Sequence, residues 1–373
     1  MSKRQKKRKT GLISYILWLI NIFFVVLLSG AYLPAYINPE ITTVFAFLGL
    51  AYPFILAINV LFVLFWLVRG KRKLYLSLVV ILLGYNPLMR HVKLYAGGDD
   101  AGETGKLKIL SYNVQNMSHS NTGLERSEIK QMILSFVEEE NADIACFQEY
   151  SEKRSYDEQV FEDLTRVIRY NDSYYINYNP KKGYRTDAIV ILTKMPYFNS
   201  GTLSLPDDHH NFGIYIDIAL DSDTFRVYNL HLESIRLHHE DYQFFEDMSK
   251  GQPAKGKLGE GSKSVVRKLH HAFRVRARQT AVVVSSLRSC PYPVIVCGDF
   301  NDTPSSYAYH QISEGLTDAF VNAGFGLGNT FAGNLPPLRI DFIFHSPEFQ
   351  STAFKVHKIK HSDHYPVSTY LSK

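Results

Sequence analysis

The sequence is poor in cysteine, with three Cys among its 373 residues. Cys146 and Cys297 lie inside apolar runs that are typical of strands, and Cys290 lies near a Pro-rich turn. No two of them have the spacing of a metal-binding pair. We therefore expect buried or incidental thiols and no zinc site.

Acidic residues are almost missing from the first 93 positions, where Glu40 is the only one beside 12 of the 41 Lys and Arg residues. The remaining positions hold the other 29 basic and 35 acidic side chains, which gives them a net charge of −6. The whole-chain charge of +5 therefore comes from the N-terminal part. The mildly acidic remainder has a suitable length for one hydrophobic core.

Charge is also absent from two long apolar runs, residues 11–36 and 41–68. As a helix, the first would cover about 39 Å at about 1.5 Å per residue, enough to cross a hydrocarbon core of about 30 Å. A third run, 74–89, is shorter and contains Gly and Pro. We expect residues 1–93 to form a membrane anchor of two or three transmembrane helices that contact membrane lipids. A cleaved signal peptide would explain the first run, but not the two that follow it.

The positive charges predict the orientation of this anchor. Six Lys and Arg residues precede the first run and four lie in 69–73, whereas the link 38–40 has none. The positive-inside rule then puts the N-terminus and 69–73 in the cytoplasm. Three spans would place residues 94–373 outside the cytoplasm, and two would place them inside. We expect an integral protein of a bacterial inner membrane whose C-terminal part is extracytoplasmic.

Residues 94–105 are small and polar and predict a linker, followed by a soluble domain over 106–373. Within that domain, strand-like runs alternate with helical patterns. The expected strands are 107–114, 143–148, 187–193, 213–220, 224–232, 293–298 and 339–345, and the expected helices are 125–140, 157–169, 263–288 and 304–313. This pattern favours a mixed α/β sandwich with two sheets inside and helices outside.

Polar side chains that could act on phosphate lie at the ends of apolar runs spread over more than 250 positions. They are Asn113, Glu149, His231, Asp299, Asn301, Asp341, Asp363 and His364. A phosphate diester is an anion that resists attack by another anion, so its cleavage needs a cation on its oxygens and a base for the water. Asp299 and Asn301 are two residues apart, and on an extended chain they would point to the same side.

In this order, the motifs that carry these residues resemble those of the endonuclease/exonuclease/phosphatase superfamily. They are Ser111-Tyr112-Asn113, Phe147-Gln148-Glu149, Asn229-Leu230-His231, Gly298-Asp299-Phe300-Asn301, Arg339-Ile340-Asp341 and Ser362-Asp363-His364. The resemblance covers residues 106–371. It implies a DNase I-like, four-layered α/β/β/α sandwich that hydrolyses phosphate esters. It also implies a divalent cation, Mg²⁺ with Mn²⁺ as an alternative, on Glu149, Asn113 and Asp363.

The resemblance assigns roles to the other motif residues as well. Asp299 would orient or deprotonate the attacking water, and Asn301 would hydrogen-bond the charged transition state. His231 and His364 would contact the scissile phosphate. Asp341 would bind the other ring nitrogen of His364 and fix its tautomer. For His231, a purely structural strand histidine is the alternative.

Three functions are compatible with these residues. The first is a membrane-tethered phosphodiesterase or phosphatase for a lipid headgroup or a small phosphorylated molecule, and the second is a nuclease. The net charge of −6 argues against a nuclease that grips the nucleic acid backbone. The third, an inactive membrane adaptor, is disfavoured because every motif position is filled.

One basic stretch remains outside these motifs. Residues 235–262 predict a long surface insertion, and 250–278 contains nine Lys or Arg against one acid. This stretch is either a solvated surface or a docking surface for phosphates or lipid headgroups.

Overall fold

A computed structural model gives the structure of the protein. It describes residues 2–94, 106–117, 123–152, 172–177, 186–206, 213–220, 223–236, 240–241, 258–333 and 337–373. Three sequence-based predictions therefore lie outside the described residues: nearly all of the linker 94–105, the helix 157–169, and most of the insertion 235–262.

The C-terminal part contains two mixed sheets of six strands each. Their strands are β1 (Leu107–Asn113), β2 (Ile144–Glu152), β3 (Asp172–Asn177), β4 (Thr186–Thr193), β5 (Tyr197–Leu203), β6 (Gly213–Leu220), β7 (Asp223–His231), β8 (Val294–Asp299), β9 (Thr317–Asp318), β10 (Asp341–His345), β11 (Gln350–Val356) and β12 (Val367–Ser372). The first sheet has the order β11-β12-β1-β2-β4-β3, and the second has the order β5-β6-β7-β8-β10-β9. The neighbours β1 and β2 are parallel, as are β7 and β8, and the other pairs are antiparallel.

Helices cover the outer faces of both sheets. The helices of the described residues are α1 (Ser2–Gly30), α2 (Val44–Leu50), α3 (Tyr52–Val68), α4 (Leu74–Leu83), α5 (Tyr85–His91), α6 (Arg126–Glu140), α7 (Leu258–Ser289), α8 (Tyr307–Ile312) and α9 (Ala319–Ala323). In β2, Cys146 points into the core between the sheets, while Phe147 packs with Ile133 of α6 on the outside. On the second sheet, Val296 packs with Val283 of α7. Because strand side chains alternate in direction, each sheet is buried on both faces. The predicted α/β/β/α sandwich is confirmed.

All seven predicted strands are present; β6 has the predicted bounds, and the other six have shifted ends. The prediction did not include β3, β5, β9, β11 and β12. β5 shows why, because its burial alternates poorly and most of its residues are partly or fully exposed. The expected helix 304–313 is shorter, since the Ser306 hydroxyl caps it by accepting a hydrogen bond from the Tyr309 amide at 3.1 Å.

The N-terminal apolar runs form helices with breaks. A helical run over Gly11–Ala35 is long and apolar enough to cross a membrane. The run 41–68 is not one straight helix, because α2 and α3 meet at Ala51 with a bend of 64°. Pro53 in the first turn of α3 has no amide hydrogen to continue the preceding helix. The run 74–89 also divides at Gly84, where the Tyr32 ring occupies the space of a β-carbon.

Buried hydrogen bonds join α1, α3 and α4 into one bundle, named here the N-terminal bundle. Asn21 Nδ2 donates to Ser77 Oγ at 2.6 Å, and Trp66 Nε1 donates to Asn21 Oδ1 at 3.0 Å. The Ser77 hydroxyl donates to Asn59 Oδ1 at 3.0 Å. Polar side chains of this kind hold helices together where the surroundings are apolar.

Two helices outside the N-terminal bundle, α2 and α5, contact the C-terminal part of the chain. Phe47 of α2 packs edge-on against Phe273 of α7, with ring centroids 5.2 Å apart. His91 Nε2 lies 2.9 Å from Ser305 Oγ, and Arg339 Nη2 donates to the Arg90 carbonyl oxygen at 2.7 Å. The basic 69–73 loop lies at the other end of the N-terminal bundle, where it joins the C-terminus of α3 to the N-terminus of α4. There, Lys73 lies over the Trp18 ring.

The buried ion pair between Arg339 and Asp318 gives a test of this packing. Its N–O distances are 2.7 and 3.2 Å, and both side chains are buried. We expect Asp318→Asn to lower the free energy of unfolding by about 3–5 kcal/mol, because it leaves the guanidinium charge buried without a carboxylate. Chemical denaturation of the full-length protein in detergent measures this loss.

The matched control is the exposed pair Arg288–Glu314, with an N–O distance of 3.0 Å. Glu314→Gln should change the free energy of unfolding by less than about 1 kcal/mol. Equal losses in the two variants would show that the buried pair does not stabilise the fold.

Candidate active site

The motif residues converge because five strands begin or end at one edge of the sandwich. β1, β2, β7 and β8 have their carboxyl ends at this edge, and the antiparallel β10 begins there. The register places His231 of β7 and Asp341 of β10 on either side of Asp299 of β8. Asn113 comes from the other sheet, at the end of β1.

Asp299 lies at the centre of the site and is fully buried. Its carboxylate accepts hydrogen bonds from Asn113 Nδ2 at 2.9 Å and from the Asn301 amide at 2.8 Å. Asn301 Nδ2 lies 3.2 Å from the same carboxylate. The Nε2 atoms of His364 and His231 are 3.7 and 3.9 Å from Asp299 Oδ2. Burial and the nearby Asp341 raise the pKa of Asp299 to about 6, against the opposing charge of His364.

Unusual backbone angles direct the side chains at this edge. Glu149 has φ +50° at a bulge of β2 that lies between Phe147 and Tyr150, and Asn301 has φ +52°. Bulges re-aim side chains, and a non-glycine residue with positive φ often marks a functional site. Gly298 has φ +150°, and a β-carbon there would overlap the Leu230 carbonyl oxygen. Glycine therefore allows β8 to approach β7 directly before Asp299.

Glu149 and His231 face each other across the sheets. His231 Nε2 lies 3.3 Å from Glu149 Oε1, and Asn113 Nδ2 donates to the same oxygen at 3.2 Å. Burial would raise the pKa of Glu149, but the hydrogen bond and charge of His231 outweigh it and lower this pKa to about 2. Glu149 is thus a carboxylate, and a half-buried one that lines the cleft.

His364 is held by Asp341. Its Nδ1 lies 3.0 and 3.1 Å from the two Asp341 oxygens. Burial would lower the pKa of His364, but the charges of Asp341 and Asp299 outweigh it and raise this pKa well above its usual value. The Thr330 hydroxyl oxygen accepts a hydrogen bond from the Asp341 backbone amide at 3.1 Å, and this bond fixes the start of β10. Asp341 therefore lies where the sequence-based hypothesis requires it.

Asp363 lines the same cleft beside His364. Its Oδ1 lies 3.9 Å from His364 Nε2. Burial and the negative charges of Glu149 and Asp299 raise the pKa of Asp363 to about 6, although His364 opposes this shift. The structure thus brings all eight predicted site residues to one edge, with Asp363 at the margin of the group.

The site offers ligand atoms for a divalent cation, but of the two predicted carboxylate ligands, Glu149 and Asp363, Glu149 alone belongs to a close group of such atoms among the described residues. Two groups of three residues each have ligand atoms within 4.8 Å of one another: Glu149, His231 and Asp299, and Asp299, Asp341 and His364. Carboxylate and amide oxygens are the ligands that hard cations such as Mg²⁺ prefer. His231 Nε2 is buried within this cluster, 3.3 Å from Glu149 Oε1. A cation would also offset the mutual repulsion of the clustered carboxylates.

Sequence reasoning missed the polar contacts beneath the site. Gln148 Nε2 donates to Asn229 Oδ1 at 2.6 Å across the two sheets, and Asn229 Nδ2 donates to the carbonyl oxygens of Phe147 and Val190 at 3.0 and 2.8 Å. Both residues lie inside the motifs: Gln148 directly precedes Glu149, and Asn229 lies two positions before His231. Their place in the motifs was the only signal of these contacts in the sequence.

A second missed group lies at the side of the cleft. Arg276 of α7 is buried, its Nε donates to Asp302 Oδ2 at 3.0 Å, and its Nη1 donates to the Glu233 carbonyl oxygen at 2.8 Å. These bonds connect the loops that follow β7 and β8. In the sequence, Arg276 was one of the basic residues of 250–278.

Comparison with known protein families gives two matches. Residues 110–364 match the model of the Endonuclease/Exonuclease/phosphatase family. The chain belongs to the endonuclease/exonuclease/phosphatase family. Like its other members, it is a hydrolase of phosphoester bonds from a divalent-metal-dependent family. Residues 14–91 match a domain of unknown function (DUF8431). No curated protein matches the chain significantly.

Solved structures of the family share the fold. The catalytic domain of human Nocturnin with bound sulfate anion has a TM-score of 0.52 at 16% identity, over 72% of this chain and 94% of that one. A family member from Bacteroides vulgatus has a TM-score of 0.52 at 17% identity, over 72% of this chain and 98% of that one. The mannosyl-6-phosphatase of Bacteroides thetaiotaomicron has a TM-score of 0.50 at 19% identity, over 72% of this chain and 100% of that one. At these identities the likeness is one of fold.

Removal of the Asn229 side chain tests the polar link beneath the site. Asn229→Ala would remove hydrogen bonds to two buried carbonyl oxygens and the shortest hydrogen bond of the Gln148 side-chain amide, so we expect it to lower the free energy of unfolding by about 2–5 kcal/mol. The exposed Asn322, which donates to the Ser351 carbonyl oxygen at 2.9 Å, is the control. Asn322→Ala should cost less than about 1 kcal/mol. Chemical denaturation distinguishes the two, and equal costs would contradict a stabilising role for the link.

Proposed function

We propose that the protein is a membrane-tethered phosphoesterase that uses Mg²⁺, or Mn²⁺, to hydrolyse a phosphodiester or phosphomonoester of a lipid headgroup or another small molecule. The observation that carries this proposal is the buried Asp299 carboxylate, surrounded by Asn113, Asn301, His231 and His364. The carboxylate can accept a proton from water, and the side chains around it can donate hydrogen bonds to phosphate oxygens.

The residues divide the reaction between them. Glu149, Asn113 and Asp363 would hold the cation, which supplies positive charge for the phosphate oxygens when bound. Asp299 orients the water and takes its proton as the water oxygen bonds to phosphorus. The bond between phosphorus and the ester oxygen breaks, and that oxygen leaves as an alcohol after it takes a proton from solvent water.

The donors around Asp299 stabilise the transition state. Asp341 accepts the Nδ1 hydrogen of His364 and favours the imidazolium, whose Nε2 hydrogen can be donated to a phosphate oxygen. Asn301 and His231 add donors on the same side. Such donors are worth most in a site that is mainly buried, because water does not compete with them there.

The membrane tether rests on the N-terminal helices. α1 is long and apolar enough to cross a bilayer, and α3 and α4 pack against it. The basic loop 69–73 and the contacts with the sheets lie at opposite ends of the N-terminal bundle. With the basic end in the cytoplasm, the active site would lie outside it.

A nuclease is the second candidate, favoured by a basic groove on α7. Arg267, His270, His271, Arg274 and Arg278 line this groove, which has a volume of about 370 Å³. It lies beside the anchor, however, because Arg278 forms an ion pair with Glu40 at 3.0 Å. This position suits the phosphates of lipid headgroups better than a nucleic acid duplex.

Two isosteric substitutions test the chemistry. Glu149→Gln and Asp299→Asn should each lower the rate of bis-p-nitrophenyl phosphate hydrolysis by about 10²–10⁴, because they remove a cation ligand and the base. A chelator should abolish wild-type hydrolysis, and added Mg²⁺ should restore it. Glu314→Gln, on the exposed surface, is the control with an unchanged rate. Equal rates in all four proteins would refute the proposal, and a substrate panel with DNA and RNA would reveal a nuclease.

A topology reporter that is active only outside the cytoplasm tests the tether. Fused after Lys373, it should be active, because three spans would carry the C-terminus across the membrane. The same reporter fused after Arg69 should be inactive. Activity of the second fusion alone would reverse the proposed orientation.

A further inference from the structure

The cleft at the active site is lined by both polar and apolar side chains. Its volume is about 200 Å³. Glu149, Asn301, Asp363 and His364 line the side where the phosphate would bind. Apolar side chains line it as well and are named here the apolar wall; they include Leu50, Leu269, Phe273, Phe331, Leu338 and Ile340. A phosphate and its cation bind to polar groups, so the apolar wall is available to another part of the substrate.

Leu50 stands out in this wall because it belongs to the N-terminal region. It is the last residue of α2, at the break where the chain bends by 64° into α3. The other five apolar residues come from α7 and from the chain around β10. The anchor thus supplies part of the active-site cleft, in addition to its proposed role as a tether.

Close packing fixes the position of Leu50. A β-carbon on the preceding Gly49 would lie 3.2 Å from the Ser305 carbonyl oxygen and 2.9 Å from Pro34, so α2 touches the backbone just after the Asp299–Asn301 motif. Three residues before Leu50, Phe47 packs on Phe273, which itself lines the cleft. Rigid elements on both sides hold a specificity residue more accurately than a loop would.

Exposed apolar side chains of the anchor begin a few residues after Leu50 in the chain. Phe54 lies four residues after Leu50 in the first turn of α3, and its side chain is about half exposed. Val60, Leu61 and Leu64 continue this exposed apolar surface along α3. An apolar chain that left the cleft beside Leu50 would therefore meet further apolar side chains.

We infer that the substrate is a lipid phosphate ester, whose phosphate binds at Asp299 and whose apolar chain runs over Leu50 and Leu269 toward the bilayer. This inference rests on the proposed function. It makes Leu50 a specificity residue that the anchor contributes to the catalytic site. A soluble sugar phosphate would leave the apolar wall in contact with water.

A chain-length series tests the inference with one leaving group. The substrates are methyl and octyl 4-nitrophenyl phosphodiester, and the full-length protein is placed in phosphatidylcholine nanodiscs with Mg²⁺. The wild type should have a higher kcat/KM for the octyl ester. Leu50→Ser should lower the octyl-to-methyl ratio of kcat/KM about tenfold, the effect expected when a hydrophobic pocket loses contact with the substrate.

Three further variants complete the experiment. Leu269→Ser, on the other side of the wall, should lower the ratio in the same way and serves if Leu50→Ser does not fold. Leu50→Met should keep the ratio, because its side chain remains apolar. Val44→Ser changes an exposed residue of the same α2 outside the cleft, and it should leave both rate constants unchanged. Partition of the octyl ester into the nanodisc is common to all variants and cancels.

The outcomes separate the inference from the proposed function. If the wild type cleaves both esters but neither serine variant alters the ratio, the lipid inference is wrong and the phosphoesterase stands. If Val44→Ser lowers the ratio as much as Leu50→Ser, the effect belongs to the anchor in general and the inference is again wrong. If the wild type cleaves neither ester with Mg²⁺, both proposals fail.

Discussion

The buried carboxylate of Asp299 is the constraint on which the rest of the structure depends. An isolated buried charge is costly, and hydrogen bonds from Asn113 and from Asn301 offset this cost. Since Asn113 belongs to the other sheet, its bond also fixes how the two sheets meet. Gly298 allows the close approach of β7, which brings His231 to the same carboxylate. The site is therefore a consequence of how the sandwich closes.

Much of the fold and of the candidate site could be predicted from the sequence, because both depend on local patterns. Apolar runs such as 213–220 predict buried strands, and the polar residues that follow such runs are predicted to lie at strand ends. The parallel neighbours β1 and β2 bring Asn113 and Glu149 to one edge. The expectation that both would hold one cation came from the family resemblance. The pairing of Asp341 with His364 came from the family resemblance alone, since 23 positions separate them.

The remaining features could not be predicted because they arise from contacts between distant segments. Glu149 has positive φ only because β2 bulges against β4. Hydropathy is equally high on both sides of Ala51, so the apolar run 41–68 was interpreted as one helix. Pro53 was the local signal of a break, but the direction of the bend depends on packing against Ser305 and α7. The strands β11 and β12 are short and partly polar, and β12 pairs with β1, which lies more than 250 residues away in the chain.

The N-terminal bundle and the active site are connected through one set of contacts. Asn21, Asn59 and Ser77 hold α1, α3 and α4 in register, and α2 and α5 extend from those helices to the sheets. Both segments meet the chain at Ser305, just after Asn301. A tether alone would need only a flexible linker, which constrains neither orientation nor distance. Packed contacts of this kind set the position of Leu50 relative to Asp299. This arrangement is expected if the anchor takes part in substrate recognition.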